Sequence, residues 1–156
     1  MTPAINMLNK HKIPYEIVEY THDSSVESYG GEAVEKLGVP AEQVFKTLVV
    51  AIDNKELVVA VVPMTAMLNL KLIAKAMGAK KAIMADISAV EKSTGYILGG
   101  VSPLGQKKRL KTVIDSSAKH FKQVFVSGGR RGLEISLCPL YLQQFTQGVF
   151  ANIGCE

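Results

Sequence analysis

The residues best suited to meet a ligand crowd into one stretch, STGYILGGVSPLGQKKRLKTVID at positions 93–115. Gly95, Gly99, Gly100 and Gly105 fall with Pro103 inside eleven residues, and a basic run from Lys107 to Lys111 follows at once. Gly100 and Gly105 have the spacing of a phosphate-binding P-loop, but that motif needs lysine directly after its second glycine and then a hydroxyl for the metal. Here Gln106 follows Gly105 and Lys108 follows Lys107, which disfavours nucleoside triphosphate hydrolysis. The dinucleotide pattern G-x-G-x-x-G is missing too. What remains is simpler chemistry. Glycines at 99 and 100 let backbone N–H groups approach a carbonyl or oxyanion closely. Pro103 stiffens the turn, and adjacent lysines suit phosphates. The alternative is a tight turn between two strands with solvated Lys107, Lys108 and Arg109.

Lys46, in VFKTLVV, is the second candidate. Strict alternation puts it on the strand face opposite Phe45 and Thr47. It is then either a solvent-facing side chain or, if the strand is covered on both faces, a desolvated cation that needs an anionic ligand or a carboxylate. The third is SGGRRGLEIS, where Ser127 and Gly128 end a strand and could line a pocket mouth. Arg130 and Arg131 either contact phosphate or form a polar hairpin turn. Tyr20, Tyr29 and Glu134 carry no local motif. No G-x-S-x-G elbow, H-E-x-x-H, Cys-His or Ser-His-Asp spacing occurs, so ordinary nucleophilic catalysis has no evident actor. Cys138 and Cys155 form no C-x-x-C, and His11, His22 and His120 lack ligand spacing. No metal is expected, and a reducing compartment is favoured.

These residues must be positioned by a chain of 156 residues, read as one domain spanning 1–156. Thr2 and Pro3 form a helix start, and YEIVEY (15–20) alternates as a half-buried strand. GGEAVEKLGVP is a short helix stopped by Gly38. VFKTLVVAIDNKELVVAVVP reads as an antiparallel hairpin with a polar turn at residues 53–56. Its near-continuous apolar runs imply strands covered on both faces or closed into a barrel. Asn69 caps a helix that Gly78 ends, KAIMAD is a short strand, and Asp86 caps a helix ending near Gly95. KTVID, QVFVSGG and LEISLC are strands, and PLYLQQFTQG is a helix opened by proline and closed by glycine. The pattern is α+β around a curved sheet, not a regular βαβ array. A net charge of +4 is compatible with a polyanionic partner without requiring one. The N-terminus lacks a signal-peptide core and no apolar run reaches membrane-helix length, so a cytoplasmic protein without membrane contact is expected.

FKTLVV, MLNLKLIAKAMGAKKAIMAD, the glycine-rich stretch and SGGRRGLEI, in this order, strongly resemble the YbaK/EbsC-type deacylases. That family clears cysteine mischarged onto tRNA(Pro) and is related to the editing domain inserted in bacterial prolyl-tRNA synthetases. The resemblance runs from the N-terminus almost to the C-terminus. It implies a mixed, largely antiparallel β-barrel-like sheet surrounded by short helices, and no cofactor. It puts Lys46 at the tRNA 3′ end, and backbone N–H groups around Gly99, Gly100 and Ser102 against the reacting ester. Tyr20, Tyr29, Thr47, Val101, Pro103, Ser127, Gly128 and Glu134 fall in its substrate pocket. Relatives often carry phenylalanine where this chain has Tyr29, and some carry aspartate where it has Glu134. Lys107, Lys108, Arg109, Arg130 and Arg131 would contact tRNA. The implied mechanism needs no triad, because the substrate's own cysteine thiolate attacks its carbonyl and expels the ribose oxygen. Prolyl-tRNA synthetase is the implied partner, and a monomer or weak homodimer is expected. Rival readings are an Ala-tRNA(Pro) deacylase that uses water, a non-catalytic tRNA- or synthetase-binding module, and a small-molecule-binding barrel.

Overall fold

A computed structural model describes residues 1–21 and 29–155, and the side chains of these apart from positions 29–31. Helix α1 (Pro3–Lys10) starts as its sequence dictates. The Thr2 hydroxyl accepts from the Ile5 N–H, proline occupies the first turn, and Ala4, Ile5 and Leu8 are buried.

Strands β2 (Phe45–Ile52) and β3 (Glu56–Pro63) form the expected antiparallel hairpin, paired from Phe45–Pro63 to Ile52–Glu56. Asp53 and Asn54 both have positive φ, 50° and 60°, the two left-handed positions that a type I′ turn demands. Glu56 belongs to the strand, so the turn is one residue shorter than the sequence suggested. The Asp53 carboxylate accepts from the Lys80 and Lys81 amides at 3.1 and 3.0 Å, which pins the turn to a neighbouring loop.

The hairpin is covered on both faces, one of the two arrangements its apolar runs imply. Val49, Val59 and Val61 enter one hydrophobic core, while Val50, Val58, Ala60 and Val62 enter another on the opposite side. Strand β5 (Ala82–Met84) pairs antiparallel with β2. On the other side β6 (Lys111–Asp115) runs parallel to β3, and β9 (Val149–Ala151) parallel to β6. A second, antiparallel sheet has the order β1 (Glu16–Glu19), β8 (Leu133–Leu137), β7 (Val124–Ser127). A single bridge between Val44 and Phe125 links it to the first sheet. The sheets thus make an open, barrel-like arrangement, not a closed barrel. Around them pack α2 (Tyr29–Leu37), α3 (Leu70–Ala76), α4 (Ile87–Thr94) and α5 (Pro139–Thr146).

The caps at Asn69 and Asp86 accept from Leu72 and Ala89, and Gly38, Gly78 and Gly95 adopt the left-handed conformation at helix ends. Helix α5 departs from its expected stop. Gln147 takes the left-handed position with φ 53°, and Gly148 instead donates to the Gln143 carbonyl. Strand β1 is less covered than its alternation implies, with Ile17 42% exposed, because it lies at a sheet edge. Strands β4 (Met67–Leu68) and β10 (Gly154–Cys155) pair with each other and are too short to show a period. Asp115 ties this corner together, its carboxylate accepting from the Ile153 and Gly154 amides at 3.0 Å. Burial alone would raise its pKa, but hydrogen bonds from Ser117, Ile153 and Gly154 outweigh that and hold it below the ordinary value. No helix among the described residues is long and apolar enough to cross a membrane.

Candidate active site

A cavity of about 420 Å³ opens where the start of β2, the loop after α4, α2 and the meeting ends of β7 and β8 converge. That volume suits a small organic group, and most of its lining is apolar. Ala33, Val44, Phe45, Val101 and Glu134 are buried and make its floor, whereas Leu98 is exposed and marks its rim. Phe45, Lys46, Thr47 and Leu48 all line it. The unbroken register keeps Lys46 on the strand face opposite Phe45 and Thr47, as alternation expects, and residues of both faces at the beginning of β2 border the cavity.

Its polar groups are few and poorly satisfied. Lys46 has no acidic partner among the described residues, and burial pulls its ammonium below the usual lysine pKa. The Thr47 hydroxyl is buried without a hydrogen-bond partner among the described residues. Glu134 is 7% exposed, and burial pushes its carboxyl up to about 8. Strand pairing sets Glu134 between Val18 of β1 and Ser127 of β7, so sheet register brings two cavity residues side by side. Tyr20 donates its amide to the Gly132 carbonyl at 2.9 Å, and burial, then the charges of Glu134 and Glu32, raises its phenol. A buried polar atom without a partner is costly, so such groups lining a cavity point to a ligand that satisfies them.

Sequence reasoning missed Glu32. In the first turn of a helix an acid reads as a solvated residue favoured by the helix dipole, and nothing in the local pattern distinguishes this one. Here it is 1% exposed and meets the Arg131 guanidinium at 3.2 Å. Arg131 therefore serves as a cavity wall braced from α2, not as a free phosphate contact. Met64 and Leu98 also line the cavity unforeseen.

The glycine-rich loop divides sharply. Gly99, with φ 92°, and Val101 line the cavity. Gly100 does not, for its amide donates to the Ile97 carbonyl at 2.9 Å. A Cβ there would lie 2.7 Å from the Arg130 Cα, so the two loops touch backbone to backbone only because residue 100 is glycine. Gly100→Ala should accordingly push the loops apart and cost roughly 1–3 kcal/mol, read as a lower urea midpoint together with weakened substrate turnover.

Ser102 is fully buried and outside the cavity lining. Its hydroxyl accepts from the Leu104 amide and its carbonyl from the Gln106 side chain, so it braces the loop. Pro103 belongs to a separate cavity of about 90 Å³ that Lys108 and Arg109 also border. Gly128 gives its amide to Leu133 and accepts from the Thr2 hydroxyl, which anchors the N-terminus against the β7–β8 turn. Lys107 and Lys108 donate their amides to Thr94 and Ser93, and their side chains, like that of Arg109, project into solvent. Arg130 is exposed and paired with Glu19 at 3.2 Å. The Tyr29 side chain lies outside the described residues. Tyr20, Lys46, Thr47, Gly99, Val101, Ser127, Arg131 and Glu134 are the expected site residues brought together.

No group of three or more His, Cys, Asp and Glu among the described residues could hold a metal. The described lining of the cavity includes neither histidine nor cysteine. What the arrangement can do is enclose a short acyl group, meet a cation-seeking oxygen with Lys46, and offer a carboxyl on the floor.

Comparison with known proteins agrees in fold and sequence. The model of the aminoacyl-tRNA editing domain matches residues 24–145. EbsC of Enterococcus faecalis, provisionally named a Cys-tRNA(Pro)/Cys-tRNA(Cys) deacylase, is 40% identical over 97% of this chain and 92% of its own. The uncharacterised YwhH of Bacillus subtilis is 28% identical over 74% of this chain and 73% of its own. Among solved structures, the hypothetical protein APE2540 superposes with a TM-score of 0.87 at 23% identity, covering 98% of this chain and 99% of that one. A structure provisionally described as a trans-editing enzyme for prolyl-tRNA synthetase gives 0.82 at 22%, covering 98% and 93%. At those identities the structures speak for the fold alone.

Proposed function

Because this chain belongs to the aminoacyl-tRNA editing family, we propose that it is a trans-editing deacylase that releases cysteine from Cys-tRNA(Pro), working alongside prolyl-tRNA synthetase. The observation that carries this reading is the Lys46 ammonium, without an acidic partner among the described residues, on a largely apolar cavity whose described lining offers no histidine or cysteine. An enzyme so equipped binds and orients, and leaves the nucleophile to its substrate.

The chemistry balances without a protein nucleophile. The cysteine thiol loses its proton, and its sulfur attacks the ester carbonyl. A carbon–sulfur bond forms as the bond to the ribose oxygen breaks. That oxygen takes up a proton from solvent, and the thiolactone is then opened by water to free cysteine. Holding sulfur and carbonyl in a near-attack arrangement supplies most of the acceleration such a step needs. In this assignment Lys46 holds an oxygen of the terminal nucleotide, and free amides of the loop around Gly99 and Val101 face the carbonyl oxygen. The Glu134 carboxyl, buried on the floor, receives the α-amino group. The Thr47 hydroxyl gains a partner that the described residues do not supply.

An Ala-tRNA(Pro) deacylase would need water as nucleophile and a base to activate it. Glu134 is the one buried carboxyl on the described lining, which gives that second reading its specific support. Deacylation of Cys-, Ala- and Pro-tRNA(Pro) in parallel, with and without the synthetase, decides between them. Cysteine release should exceed alanine release, with prolyl-tRNA untouched. Faster alanine release would replace the first reading with the second, and tRNA binding without cleavage of any ester would leave a binding module.

A further inference from the structure

We propose that Ile97 and Leu98 form a shelf at the cavity mouth on which the base of the substrate's terminal nucleotide rests. The proposal rests on the deacylase reading and names where the rest of the substrate goes. Ile97 is 76% exposed and Leu98 49%, in a loop whose neighbours Tyr96 and Val101 are buried. Leu98 also lines the cavity, and it is the exposed member of that lining. Two large aliphatic side chains are thus presented to solvent at and beside the cavity rim.

The shelf is held, not loose. The Leu98 amide donates to the Glu91 carboxylate at 2.9 Å, and the Ile97 carbonyl accepts from Gly100 at 2.9 Å. Those bonds tie both residues to the end of α4 and to the turn at Gly99. The Glu91 carboxylate is thereby engaged by the shelf's own backbone.

Covalent connection and charge identify the occupant. An aminoacyl group in the cavity is one ester bond from a ribose, and the ribose carries its base and phosphate out through the mouth. Lys46 stands on the cavity side of this exit. Two residues before Ile97, Gly95 is packed against Lys107, whose Cβ lies 3.3 Å from where a Gly95 Cβ would be, and Lys107 and Lys108 bond to the last turn of α4. An apolar surface next to Lys46 in the cavity lining, and close in the fold to the segment carrying Lys107 and Lys108, matches a nucleotide, whose flat base has an apolar face and whose flanking phosphates are anionic. Base contacts of this kind are sequence-tolerant and typically contribute about ten- to a hundredfold in affinity when the platform is aromatic. An aliphatic platform sits at the lower end of that range.

Two small esters isolate the shelf, 3′-O-cysteinyl-adenosine and cysteine methyl ester, which share the acyl group and differ in the base. Steady-state KM for each is measured with wild type, Ile97→Ser and Ile97→Tyr, with thermal unfolding confirming that each variant is folded. The ratio of KM for the adenosyl ester to KM for the methyl ester should rise about tenfold in Ile97→Ser and fall below wild type in Ile97→Tyr, which adds a stacking face. A ratio unmoved in both variants overturns the shelf. So does an Ile97→Ser protein that keeps the wild-type ratio but loses stimulation by prolyl-tRNA synthetase, because the patch would then be a protein-docking surface. A wild type that leaves Cys-tRNA(Pro) intact removes the deacylase reading and this inference together, whereas cleavage with an unmoved ratio removes the shelf alone.

Discussion

Replacing Lys46 with methionine slows single-turnover release of cysteine from Cys-tRNA(Pro) by about a hundredfold or more, while the protein stays as stable as wild type or gains stability. The two halves have one cause. The lysine stem packs among apolar residues at the start of β2, and methionine reproduces most of that volume. The ammonium has no acidic partner among the described residues and is partly desolvated, so in the empty protein it contributes cost, not support. With substrate bound, the same charge meets an oxygen of the terminal nucleotide. Removing one oriented donor from a shielded site typically costs 10²–10³ in rate. Release at the wild-type rate would sink the assignment of Lys46. Lost activity with collapsed stability would show that the side chain is structural.

Substituting Glu134 with glutamine changes both the pH dependence of stability and the turnover. Burial raises the folded-state pKa from 4.5 to about 8. Below about pH 4.5 the group is protonated in folded and unfolded chains alike and gives no slope. Between about 4.5 and 8 the folded protein holds a proton that the unfolded chain has released, so stability falls as pH rises, by at most about 1.4 kcal/mol per unit. Wild type should lose roughly 2–4 kcal/mol from this group between pH 5 and 9, once relaxation around the carboxylate is allowed for. The glutamine variant should lack that component, so its urea midpoint at pH 9 lies above wild type. Glutamine cannot carry the negative charge that an α-ammonium favours, so kcat/KM for Cys-tRNA(Pro) should drop about ten- to a hundredfold. A variant with a lower midpoint at pH 9, or with undiminished kcat/KM, would contradict the role given to Glu134.

Much of this molecule is local, and local features were legible. Thr2, Asn69 and Asp86 cap helices because a short polar side chain can reach an orphan amide three residues on, and that requirement acts over one turn. The β2–β3 hairpin is written in two β-branched runs around Asp53 and Asn54, residues that tolerate the left-handed turn. The same runs allowed two-sided cover or barrel closure, and the fold shows the first. The two-residue strands were not legible, since a period cannot be seen in β4 or β10. Barrel closure was not legible either, because it depends on how far two sheets meet. Here they join through one bridge at Val44 and Phe125.

The site divides along the same line. Residue types and order along the chain were enough to suggest the family and to single out Lys46 and the Gly99–Gly100 pair. Only the folded chain assigned those residues to sides. It put Gly99 and Val101 on the cavity and spent the Gly100 amide and the Ser102 hydroxyl on the loop itself. It also buried Glu32 against Arg131, turning an expected phosphate contact into a braced wall. The reason is range. Caps and strand periods are decided by neighbours a few residues apart, whereas Glu32, Lys46, Gly99 and Glu134 lie in separate segments. Their burial and charge state follow from desolvation by groups far away in sequence, which no local pattern encodes.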